Sequence, residues 1–229
     1  MNGFNKVIAV VFLLMELLLF GMSQFGLTVY VDEVHYSCIV LCFLHAFYHF
    51  LVQTQKKKCT GILVLGLGFT CIGDYFLILK NQYYEAGVTA FLLTQICYFI
   101  FMAADFEWVR LKKHVILRVS VAFIGNIVSM CMIKQFSLLF IIVPIYAVFF
   151  MGNIMEACFH YKAHPLFSLG LILFICCDIC VGLSNGELAG LTVPFAHLFQ
   201  WLIWLFYIPS QICISFYIYQ KGLEKNANI

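Results

Sequence analysis

Eight stretches of about twenty apolar residues follow one another along this chain, and runs of that length identify membrane-spanning helices. They read as residues 7–29, 34–52, 60–79, 86–104, 115–133, 137–156, 166–185 and 195–219. The connections between them are too short to hold a soluble domain. Of the 229 residues, 64% are hydrophobic and only 10% are charged, far too few polar groups to cover a water-soluble surface. The expected architecture is an all-α integral membrane protein, a single multi-pass domain over residues 1–229 with eight transmembrane helices. The first stretch is long and lacks a small-residue cleavage site, so it is expected to be an uncleaved helix rather than a signal peptide.

The net charge of +2 carries no nucleic-acid signal; the distribution of charge is what informs. An even number of spans puts both termini on one side. That side collects Lys6, Lys56, Lys57, Lys58, Arg110, Lys112, Lys113, Arg118, Lys162, Lys221 and Lys225, eleven of the thirteen basic residues. Only Lys80 and Lys134 fall on the other. The positive-inside rule then places both termini in the cytoplasm. The host membrane is expected to be the cell membrane in a prokaryote and the endoplasmic reticulum in a eukaryote. Most of the eleven cysteines sit inside apolar helices, where Cys acts as a small hydrophobe, so neither a disulfide framework nor a zinc knuckle is expected.

Two residues resist the apolar pattern. Asp74 and Asp178 lie inside spanning segments, where a carboxyl costs roughly 2.5–3.5 kcal/mol on insertion scales. No Lys or Arg is expected at a similar depth in any other segment. Their surroundings match at one constant offset: Leu65-Gly66-Leu67 recurs as Leu169-Gly170-Leu171, Leu79 as Leu183 and Asn81 as Asn185. Thr94-Gln95-Ile96-Cys97 is echoed by Ser210-Gln211-Ile212-Cys213 in the next segment of each set. The pattern fits two tandem halves, 1–105 and 106–229, with four helices each. Four helices return the chain to its starting side, so the repeat is parallel rather than inverted.

From Thr60, Asp74 lies about 21 Å into its helix at ~1.5 Å per residue, and from Leu166, Asp178 lies about 18 Å into its own. The two acids therefore share one level, beyond the midplane on the less basic side. If their helices are neighbours, they face one cavity. Two carboxyls in an apolar cavity do not ionise alike, which suits one as general acid and the other as general base. The alternative is a structural polar pair. Gln95 and Tyr98 share a helix face, as do Tyr207 and Gln211. These four either bind substrate or serve as hydrogen-bond glue between helices. Asn81, seven residues past Asp74, is a further binding candidate, although both it and Asn185 also suit a capping role.

His45 and His49 have a spacing able to chelate a metal from one helix face. Helical rise puts His45 about 10 Å from the cytoplasmic end, well below Asp74, and zinc bonds of about 2 Å do not span that gap. No metal is expected. Glu16 is a third intramembrane acid, which either lines the same cavity or pairs with a His or Tyr. Pro144 and Pro209 are candidate kinks.

The segment Gly66-Leu67-Gly68-Phe69-Thr70-Cys71-Ile72-Gly73-Asp74-Tyr75-Phe76-Leu77 resembles the G-D-x-x-L signature of the YhhN-like membrane proteins, which include the lysoplasmalogenases. Gly87, Phe91, Gln95 and Tyr98 are similar to that family's G-x-x-x-F-x-x-x-H-x-x-Y stretch, with Gln95 where many members have His. Cys177-Asp178 resembles its S-D segment, and Tyr207 to Gln211 its Y-x-x-A-Q. A Lys-Pro feature early in the second helix is absent, His35 being a loose substitute. The order of these motifs agrees over residues 60–220. The resemblance implies a lysoplasmalogenase-like ether hydrolase acting on a lysophospholipid substrate drawn from membrane lipid. It would cleave the vinyl ether to a fatty aldehyde and a glycerophospho-base, with Asp74 and Asp178 catalytic and no cofactor. The competing expectation is a proton-coupled transporter or lipid-handling protein using the two acids as a relay.

Overall fold

The computed structural model describes residues 3–24, 30–52, 57–105, 107–132, 137–185 and 196–223, and all regular structure among them is helical. Eight helices follow in order: α1 (Gly3–Gln24), α2 (Val31–Val52), α3 (Lys57–Asp74), α4 (Tyr84–Met102), α5 (Trp108–Met132), α6 (Leu139–Phe159), α7 (Pro165–Ser184) and α8 (Ala196–Leu223). Among the described residues seven of them, α2 to α8, are long and apolar enough to cross a membrane. The chain is a multi-pass helical membrane protein. α1, of 22 residues, is not in that set among the described residues.

Six helices close a ring. Each of α2, α3, α4, α6, α7 and α8 packs on the next, and α8 returns to α2, while α3 also touches α8 across the interior. α1 lies against α2, and α5 against α6, from outside. α3 and α7 are therefore not neighbours; they stand opposite one another across the ring. α5 also begins earlier than expected, because the basic run from Arg110 to Arg118 continues the helix. Lys and Arg are good helix formers, and hydropathy alone stops short of them.

Lipid offers no hydrophobic drive between helices, so close backbone approach supplies much of the packing. α3 and α4 meet at Gly73 and Gly87. A Cβ on Gly87 would fall 2.6 Å from Leu77 Cγ, and one on Gly73 would fall 2.9 Å from Phe91 Cε2. Gly73 is thus small because α4 passes against the residue that precedes Asp74. Past Asp74 the helix widens into a π-helical turn, Tyr75–Leu79, closed by Lys80 N–H to Tyr75 O at 3.0 Å. Asn81 (φ 46°) and Tyr83 (φ 57°) then take left-handed conformations and reverse the chain into α4. α6 and α8 continue through Pro144 and Pro209.

Gly87→Ala should destabilise the protein by about 1–3 kcal/mol, the usual cost of overpacking. Adding Leu77→Ala should recover much of that loss, because Leu77 is the side chain the new methyl meets. Thermal unfolding in detergent checks this; an additive double variant would show that the contact is not the cause.

Candidate active site

Asp74 is the last residue of α3 and is buried. Its Oδ2 accepts a hydrogen bond from Tyr207 Oη of α8 at 2.7 Å. Asp178, in α7 and half-buried, has the same kind of partner: its Oδ2 accepts from Tyr146 Oη of α6 at 2.6 Å. In hydrocarbon a carboxyl must find its partners within the protein. Here each is held by one phenol from another helix, with no cation in the pairing.

The two acid–tyrosine pairs lie on one aromatic cluster. Phe91 of α4 packs edge-on against both Tyr207 and Tyr146, with ring centroids 6.5 Å apart in each case. Phe174 of α7 contacts Phe91 at 5.9 Å, Tyr207 at 5.5 Å and Phe150 at 4.9 Å. The Cys177 thiol is within electrostatic reach of both carboxyls. The acids of the opposed helices α3 and α7 are thus brought toward one another across the ring interior, with α4, α6 and α8 supplying the aromatic walls. Tyr146 was not among the residues singled out from the sequence. Its one signal was a lone phenol in an apolar helix, two residues past Pro144, and Phe-rich α6 masks it.

The other expected site residues divide. Tyr207 holds a carboxyl, one of the roles open to it. Gln211, one turn further along α8, is buried; its Nε2 donates to Ser210 Oγ at 3.4 Å and its Oε1 has no protein partner. Tyr98 is fully buried between Gly66 and Phe167, with Thr70 beside its hydroxyl. It lies within electrostatic reach of Tyr146. A buried amide oxygen normally finds a partner, so Gln211 Oε1 marks a polar position inside the ring.

Gln95 instead joins helices. Its backbone O and its Oε1 accept from Asn153 Nδ2 at 2.8 and 3.0 Å, and Asn153 Oδ1 accepts from Arg118 Nη1 at 2.7 Å. Arg118 is buried, with its guanidinium 4.1 Å from the Phe99 ring centroid. A Cβ on Gly152 would lie 2.8 Å from Arg118 Cζ, so that glycine makes room for it. Arg118 enters the bundle and ties α5 to α6 and α4, though not to either aspartate.

Asn81 does not join the site. A continuous α-helix would keep it on the face of Asp74, but the π-helical turn breaks that register, and it sits exposed in the reversal with Oδ1 accepting from Tyr84 Oη at 2.5 Å. Asn185 caps α7, its Nδ2 donating to Val181 O at 2.9 Å. His45 Nε2 and His49 Nε2 each lie 2.9 Å from Asn5 Oδ1, and His45 Nδ1 lies 2.7 Å from Ser215 Oγ. Both imidazoles are thereby committed to α1 and α8, and the pair is tied down by protein groups. Glu16 lies on α1, outside the ring, within electrostatic reach of Cys38 of α2.

Neither the curated proteins nor the solved structures hold a significant match to the chain. The family model described as the YhhN family matches residues 35–218. That span takes in both aspartates, both tyrosines that hold them and the aromatic cluster between, and the chain belongs to the YhhN family.

Proposed function

We propose that this protein hydrolyses the vinyl ether bond of lysoplasmalogens, with Asp74 and Asp178 dividing the acid and base duties. The observation that carries this reading is the pair of intramembrane carboxyls, each with one oxygen engaged by a tyrosine, facing a common aromatic interior. A Tyr O–H bound to Oδ2 leaves Oδ1 of each acid for substrate, water or a proton. The family's association with a hydrolase role agrees with it.

The reaction follows from the chemistry of an enol ether. A neutral carboxyl donates its proton to the distal vinyl carbon. Positive charge then develops on the carbon bonded to oxygen, and the partner carboxylate stabilises this oxocarbenium, as in glycoside hydrolysis. The same carboxylate takes a proton from a water molecule, whose oxygen bonds to the cationic carbon. The resulting hemiacetal loses its hydroxyl proton as the glycerol oxygen gains one, and the C–O bond breaks. Aldehyde and glycerophospho-base are the products, and the chemistry needs no metal or redox group. The aromatic walls suit the alkenyl chain and shield the cation.

The two-half organisation belongs to the same proposal. Gly66 and Gly170, equivalent in the offset pattern, pack against Cys97 and Cys213, equivalent in the second echo; a Cβ on either glycine would lie 3.3 and 3.4 Å from those cysteines' Cβ atoms. α3·α4 and α7·α8 are also the two most closely packed pairs. Such halves support a parallel repeat of four helices with both termini on the basic, cytoplasmic side. The same observation favours a second reading, because proton-coupled carriers also place acids between repeats.

Purified protein in detergent should release aldehyde from lysoplasmenylethanolamine. Asp74→Asn and Asp178→Asn should each lower kcat at least about 100-fold, the low end for losing a general acid or base, while remaining folded. Normal turnover in either variant removes that residue's role. A wild type without turnover that takes up solute into vesicles under a proton gradient would favour the carrier.

Tyr207→Phe and Tyr146→Phe should slow turnover by about tenfold each, the effect of losing one hydrogen bond of ~1.4 kcal/mol to a charged group. The change should appear in kcat and in the pH profile rather than in KM, because Phe keeps the ring that walls the interior and removes only the hydroxyl that holds the acid. An unchanged pH profile in both variants would mean that the tyrosines do not set the state of the acids.

A further inference from the structure

A cavity of about 310 Å³ opens at the other end of the bundle, where most of the basic residues collect. One wall is built by α5 and α6. Arg110 donates to the buried carboxylate of Glu156, which also has His160 Nδ1 at 3.5 Å and His114 Nδ1 at 4.0 Å. The facing wall comes from α7 and α8. Lys221 Nζ lies 5.8 Å from the Tyr217 ring centroid, and Tyr217 Oη is 2.8 Å from His164 Nδ1. Arg110, Lys221, His160 and His164 all line the hollow, whose floor is Phe101 and Phe167. Two fixed cations, two imidazoles and the Glu156 carboxylate thus share one hollow among the described residues.

We propose that this cavity is a binding site for a phosphate ester, separate from the aspartate site. Guanidinium and ammonium groups around an apolar floor recognise a phosphate that carries a short carbon skeleton. The cavity holds a headgroup and glycerol with room to spare, and its volume matches the lower range of small-molecule sites. Its position rules out a role as the headgroup pocket of the reaction. Cys59, on its lining, lies fifteen residues before Asp74, roughly 22 Å away at ~1.5 Å per residue. Phe167 is eleven residues before Asp178, roughly 16 Å by the same rise. The six bonds from phosphorus to the vinyl ether carbon of a lysoplasmalogen span well under either distance. A ligand here acts on the bundle as a whole: it joins the outer α5–α6 pair to α7–α8.

Two sources share this chemistry, the headgroup of a surrounding lipid and a soluble phosphate ester. Full-length protein in dodecyl maltoside is titrated with glycerol 3-phosphate, with dioleoyl phosphatidic acid and with glycerol, and the unfolding midpoint is followed by tryptophan fluorescence. A saturable rise with the phosphate compounds and none with glycerol is the expected result. A rise with phosphatidic acid alone names the lipid as the source, and a rise with glycerol 3-phosphate names the soluble ester. Lys221→Gln and His164→Gln should each raise the half-saturating concentration about tenfold, and Asp74→Asn should leave it unchanged; a weakened response in either cavity variant suffices. The proposal falls if neither phosphate compound shifts the midpoint, if both cavity variants respond as wild type, or if folded Asp74→Asn no longer responds.

Discussion

Asp74 and Asp178 are each held by a phenol from a different helix, and the arrangement of the bundle follows from that requirement. Hydrocarbon cannot solvate a carboxyl, and water is not at hand to replace a missing donor. Tyr207 reaches Asp74 from α8, and Tyr146 reaches Asp178 from α6. For both bonds to form, α3 and α7 must stand on opposite sides of an interior that α4, α6 and α8 enclose. Phe91 and Phe174 then fill the space between the two phenols. A neutral donor holds a carboxyl without fixing it in one charge state as a cation would. That leaves both acids available for proton traffic.

Small residues and a second polar network keep this geometry in register. Gly73 and Gly87 let α3 and α4 approach at the level of Asp74, and Gly66 and Gly170 do so further along each pair. Such contacts are effective in lipid because packing, rather than release of water, drives helix association there. The Arg118–Asn153–Gln95 chain joins α5, α6 and α4, with Gly152 making room for the guanidinium. Arg118 is tolerated in the bundle because its guanidinium is both hydrogen-bonded and stacked on Phe99.

The two ends of the bundle differ in chemistry. Asp74 directly precedes a π-helical turn of the kind that recurs at functional positions. The opposite end holds the cation-lined cavity, with Phe101 and Phe167 on its floor. Phe167 also touches Tyr98 and Tyr217, so one aromatic side chain connects the cavity to the core of the ring.

Hydropathy alone determined that this chain is a bundle of membrane helices, because a twenty-residue apolar run has no other stable form in lipid. It also exposed Asp74 and Asp178, since a costly residue stands out against an apolar background. It left the burial of Arg118 unread and put Asn81 on the face of Asp74. The basic run around Arg118 looks like a solvated helix end until Asn153 and Phe99 are in place, and Asn81 keeps the Asp74 register only if the helix stays α. Tyr146 was invisible, because one phenol among many aromatics says nothing of its partner until α6 and α7 are packed. The sequence by itself determined which groups are expensive to bury; the tertiary structure alone decided which donors meet them, because those donors lie 32 and 133 residues away along the chain and only packing brings them within hydrogen-bond distance.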